Sequence, residues 1–64
     1  MYQEFDVITL AVDVPEYGLK AGERGTIVDV FTRPRPAYEV EFTYPDGSTR
    51  AQLSLEPEQL VRKS

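Results

Sequence analysis

Three carboxylates set the first question. Glu39 and Glu41 are two residues apart, so a β-strand would project them from the same side, and Asp29 falls in the preceding β-rich run. Carboxylates grouped on one face can do acid/base chemistry, hold a hard cation, or meet a basic protein. The first two uses need companions. The chain has neither histidine nor cysteine, which removes the commonest general base, the commonest metal ligand, and any Cys-His or Ser-His nucleophile. No Asp-rich loop and no lysine at useful spacing completes a site. The sequence therefore predicts no enzyme, no metal and no cofactor. It leaves Glu39, Glu41 and Asp29 as a candidate surface for a basic protein partner.

Two further groups carry binding chemistry. Arg33-Pro34-Arg35-Pro36 clusters two guanidiniums in a stiff loop, where proline has already limited the backbone freedom that binding would remove. Arg33 and Arg35 are thus a second candidate contact. Tyr17, in a long loop, and Tyr44, beside a tight turn, are candidate exposed contacts, since tyrosine offers large area at low entropic cost.

Gly22-Glu23-Arg24-Gly25 runs straight into a β-rich stretch. A phosphate-binding loop of this kind would end in Gly-Lys-Ser/Thr before a helix, and here a strand follows. The reading adopted is structural: Gly22 turns the chain, Gly25 lets the backbone approach closely or bulge, and Gly47 serves a hairpin.

The elements that must position these residues are legible from a period of two. Residues 5–13, 24–32, 37–44 and 48–55 read as strands. In the third, Tyr38, Val40 and Phe42 alternate with Glu39, Glu41 and Thr43. In the second, Thr26, Val28 and Val30 oppose Ile27, Asp29 and Phe31. Pro45-Asp46-Gly47 is a tight hairpin, the Pro-rich 32–36 segment cannot continue a ladder, and Pro57 opens a short 3₁₀ turn before a last strand at Leu60 and Val61. The predicted core is Val7, Leu10, Val12, Val28, Val30, Val40, Phe42, Ala51, Leu53 and Leu60, with Leu19 and Ile27 at its margin. The expected fold is all-β: a single domain over residues 1–64, a small SH3-like five-stranded antiparallel barrel with one 3₁₀ turn before the last strand.

Totals narrow the partner. The chain has 64 residues, with seven basic side chains against eleven acidic ones for a formal charge of −4. That balance repels phosphate backbones and anionic lipid. No apolar run reaches the ~20 residues of a membrane span, and the first residues carry acids where a signal peptide has bases. The expectation is a soluble, cytoplasmic protein.

Over nearly its full length the sequence resembles a family of similarly short, uncharacterised bacterial proteins of unknown function. The resemblance is carried by Asp6-Val7, by Pro15, Gly18, Leu19, Gly22, Gly25, Thr26 and Ile27, by Tyr38 to Phe42, and by Leu55 with Gln59-Leu60, Ile27 standing where the family usually has valine. Its members resemble partnered proteins encoded beside another small product. This implies a protein-interaction module, antitoxin-like or inhibitory, acting on a neighbouring gene product. The Gly22–Gly25 stretch also resembles the KOW motif of RNA-binding barrels, which implies RNA binding as the alternative, though Glu23 and Asp29 offset the basic residues that motif supplies. A more distant likeness is to the SH3-like barrel of nitrile hydratase β subunits, a structural and subunit-contact module. Peptide-binding SH3 domains typically line their groove with a tryptophan, and this chain has none.

Overall fold

The computed structural model describes residues 2–62. Five antiparallel strands form one sheet: β1 (Val7–Leu10), β2 (Arg24–Phe31), β3 (Ala37–Thr43), β4 (Thr49–Leu55) and β5 (Leu60–Arg62). Their spatial order is β4-β3-β2-β1-β5. The architecture is the expected all-β one. The sheet is not closed, and β4 and β5 remain its two edges. A 3₁₀ turn, Pro57–Gln59, stands before β5 as expected; a second, Pro15–Tyr17, forms in the loop after β1. Among the described residues no helix is long and apolar enough to cross a membrane.

β3 follows its sequence pattern throughout. Tyr38, Val40 and Phe42 are buried, and Glu39 and Glu41 lie on the other face. The core they build with Ile8, Leu10, Leu19, Ile27, Ala51, Leu53, Leu55 and Leu60 is one cluster. Tyr2 extends it, meeting the Tyr38 ring edge-on with centroids 5.3 Å apart.

Two strands depart from strict alternation, and both departures shape the surface. In β2, Ile27 pairs with Val40 and Asp29 with the adjacent Glu39, so Val28 is one residue too many. A bulge of this kind resets which side chains face inward. Gly25 and Ile27 are buried before it, Val30 packs on the core after it, and Val28 is only half-buried. The expected inward row Thr26-Val28-Val30 is thereby corrected: Ile27 is wholly buried. In β4 the same irregularity falls between Ala51 and Thr49, leaving Arg50 as the extra residue.

β1 is shorter than the apolar run that contains it. Ile8 and Leu10 take the inner face, so Val7 must turn outward, and Val12 lies beyond the strand in a bend; they are 39% and 40% exposed, which removes both from the core. Ile8, Tyr38 and Leu55 join it, and Leu19, expected at its margin, is buried within it.

Candidate functional site

The bulge at Val28 decides where the carboxylates go. With Ile27 inward, uninterrupted alternation would turn Asp29 inward too. The extra residue instead sets Asp29 directly across from Glu39, on the outer face, while Thr26 lies across from Glu41. Facing residues on neighbouring strands have Cβ atoms about 4.5–5.5 Å apart, and like charges so placed repel. Asp29, Glu39 and Glu41 thus form one acidic band over β2 and β3.

Among the described residues hydrogen bonds hold the band, and no cation pairs with it. Glu39 accepts from Ser54 Oγ at 2.8 Å and from Gln52 Nε2 at 3.3 Å. Glu41 accepts from the Thr49 hydroxyl. Asp29 accepts from the Val30 backbone N–H at 2.8 Å. Among the described residues neither ion pair involves any of the three, and no group of acidic side chains is placed to hold a metal ion.

The remaining candidates do not converge on this band. Arg33 and Arg35 stand in the exposed loop before β3, which contains a cis Arg33–Pro34 peptide. Arg35 reaches Glu56 at 3.8 Å, with both side chains well exposed; such pairs contribute little, about 0–1 kcal/mol. Tyr44 follows the opposite end of β3, half exposed beside the hairpin. Tyr17 lies on the first 3₁₀ turn, also half exposed. It borders an open groove of about 670 Å³ between that turn and β4, where Val14, Glu16, Leu53, Ser54 and Gln59 are the other main walls.

The Gly22–Gly25 stretch has its own geometry. Gly22 sits at φ 93° and Gly47 at φ 91°, conformations glycine adopts without steric cost. Gly25 is not in that region. A Cβ there would stand 2.7 Å from Val40 Cγ1 and 2.8 Å from Phe42 Cε2, so the missing side chain is what lets β3's core residues pack over β2. Between the glycines, Glu23 accepts from the Lys20 N–H at 2.9 Å and pairs with Arg50 of β4. Arg50 also donates to the Gly18 carbonyl at 2.6 Å. The sequence pattern marks Glu23 only as an offset to nearby bases and assigns Arg50 no role. Only the β4 bulge, which alternation does not reveal, frees Arg50 to bridge the strand and the loop. Phe5 was passed over as well: it holds φ 74° and is 74% exposed, an aromatic in a backbone region that disfavours side chains.

The family model described as Domain of unknown function (DUF4926) matches residues 4–62, and the chain belongs to that family. No curated protein and no solved structure matches the chain.

Proposed function

We propose that this member of the family is a non-catalytic protein-interaction module whose acidic band docks a basic partner protein, and that the partner is a neighbouring gene product it holds in an antitoxin-like, inhibitory complex. The observation that carries this reading is Asp29 facing Glu39 with Glu41 beside them. Like charges side by side across two strands cost stability, and no cation among the described residues offsets them. A cationic partner would relieve that repulsion on binding. The carboxylates are also held by donors on β4 and β2, so part of the side-chain freedom that docking would remove is already given up.

The test is co-expression with the adjacent gene's product, followed by association rates across ionic strength. Charge complementarity acts chiefly on the rate of encounter. Each Glu→Lys reversal shifts the charge by two, so Glu39→Lys with Glu41→Lys cancels the formal −4. The double variant should associate roughly tenfold or more slowly at low salt and lose most of its salt dependence. An unchanged rate would refute the acidic band as the docking face. Binding of wild-type protein to single-stranded RNA at physiological salt would favour the KOW-like alternative instead.

A further inference from the structure

Among the described residues the outer edge of β4 pairs with no strand, and the groove borders it at Leu53, Ser54 and Leu55. Tyr44 donates its N–H to the Ser48 carbonyl at 2.9 Å. Backbone groups of an antiparallel strand point alternately to its two sides, so Phe42, Val40 and Tyr38 also bond toward β4. Their partners Ala51, Leu53 and Leu55 bond back toward β3. Gln52 and Ser54 consequently direct their N–H and C=O groups to the other side. Both residues are exposed, and neither makes a backbone bond outside the sheet among the described residues. A row of unpaired backbone donors and acceptors of this kind is a template for another strand.

What surrounds that edge fixes the chemistry of an occupant. A strand laid beside β4 would turn its side chains alternately to two environments. On the inner side lies the groove, walled by Val14, the Tyr17 ring and the accessible parts of Leu53. Glu16 lines it too, and its carboxylate has no hydrogen bond or ion pair among the described residues. Gln59, at the same groove, has its Oε1 taken by the Glu56 N–H at 2.8 Å, while its Nε2 makes no bond there. On the outer side the occupant would meet Gln52 and Ser54, the two side chains that hold Glu39, and so the border of the acidic band.

We infer that the β4 edge receives an extended segment of the basic partner, with apolar residues alternating with lysine or arginine. The apolar side chains fill the groove against Tyr17 and Val14. The cations lie along the outer side toward Glu39, with Glu16 available at the groove's rim. Main-chain pairing with Gln52 and Ser54 supplies affinity, and the alternation supplies selectivity. This rests on the basic-partner reading and deepens it: the acidic band attracts the partner, and the edge captures a strand of it.

The probe is a capped heptapeptide of alternating lysine and valine, starting and ending on lysine. Two controls accompany it: a peptide of the same composition with the valines in one block, and one with glutamate for every lysine. The readouts are amide shifts and amide exchange by NMR, with binding constants from titration. The alternating peptide should slow exchange at the Gln52 and Ser54 amides and shift Val14 and Tyr17. The block peptide, Tyr17→Ala and Ser54→Pro should each weaken binding about tenfold; proline at 54 removes an outward N–H that an edge strand can spare. Should Ser54→Pro not fold, slowed exchange in wild-type protein decides the matter alone.

Shifts confined to Asp29, Glu39 and Glu41, with the edge amides unmoved, would overturn strand capture and leave the acidic docking face standing. Equal binding and protection by the glutamate peptide would overturn the basic occupant, and with it the reading on which this inference rests. A concentration-dependent dimer abolished by Ser54→Pro would put a second copy of the chain on that edge, and would likewise overturn it.

Discussion

Glu23, in the loop entering β2, and Glu39, on β3, are the same residue type, and the fold treats them in opposite ways. Glu23 is given a cation. The bulge in β4 releases Arg50 from the ladder, and the guanidinium joins Glu23 to the Gly18 carbonyl, tying the loop before β2 to an edge strand. Glu39 is given another carboxylate. The bulge in β2 turns Asp29 to the outer face directly across from it. One extra residue in a strand thus completes a charge pair in one place and creates an unrelieved charge cluster in the other. The difference separates an acid that holds the fold together from acids that the fold presents outward.

The largest effect should fall on both regions alike. Phe42 is 2% exposed, sits one residue from Glu41, and its ring would meet any Cβ at Gly25. Phe42→Ala should cost about 3–5 kcal/mol, comparable with all the stability that a core of this size supplies, about 3–5 kcal/mol. Chemical denaturation should therefore find that variant largely unfolded. Gly25→Ala, by overpacking the same spot, should cost about 1–3 kcal/mol, and pairing it with Phe42→Leu should recover part of the loss. A Phe42→Ala protein as stable as wild type would mean that neither region rests on this core.

The second prediction separates the two regions. Arg50 and Glu23 are each about a third exposed, so their pair is worth less than a buried one yet more than a surface one. Truncating either, as Arg50→Met or Glu23→Gln, should cost about 1–2 kcal/mol, and a double-mutant cycle should find most of that as coupling. Glu39→Gln should stay within about 0.5 kcal/mol of wild type or gain slightly, because it ends a like-charge contact while the Ser54 hydrogen bond can persist. Equal losses at Glu23 and Glu39 would erase the distinction between holding and presenting.

How much of this was legible follows from the same two bulges. β3 was readable because its alternation is unbroken, so Val40 and Phe42 inward and the pair Glu39-Glu41 on the other face came directly from pattern, while Tyr38, on the inward face, stood outside the expected core. The hairpin at Pro45-Asp46-Gly47 and the turn at Pro57 were readable from residues with narrow conformational choices. Val28 was placed inside and Ile27 only at the core's margin because a bulge leaves no mark in a run where apolar residues stand at 27, 28, 30 and 31. Val7 was misplaced for a related reason: when both faces of a strand carry apolar side chains, periodicity cannot choose between them, and the choice falls to pairing with β2 and β5. Arg50 went unseen because its role depends on an irregularity in β4 and on a loop 27 residues away in sequence. The β4 edge was beyond sequence reading, since which strand ends unpaired is a property of the whole sheet.

The smallest effect concerns an acid between the two extremes. Among the described residues Asp46 pairs with no cation, as Glu39 pairs with none, but its Oδ1 accepts from both the Ser48 hydroxyl at 2.7 Å and the Ser48 N–H at 2.9 Å. The hydroxyl first, and then the backbone donor, favour the charged form and hold the Asp46 carboxyl below its usual range. A carboxylate whose pKa is lowered by folding stabilises the fold above its unfolded pKa, and that contribution fades as pH falls through the folded value. The hairpin should therefore keep its turn at neutral pH and loosen only in acid, below the ordinary aspartate range. A carboxyl-carbon NMR titration should place the Asp46 midpoint below that of the same turn in an unfolded peptide, and Ser48→Ala should move it upward by removing the leading donor. A midpoint indifferent to Ser48→Ala would show that hydroxyl donation does not tune this acid, and would weaken the parallel claim that Ser54 and Thr49 hold the outward carboxylates in place.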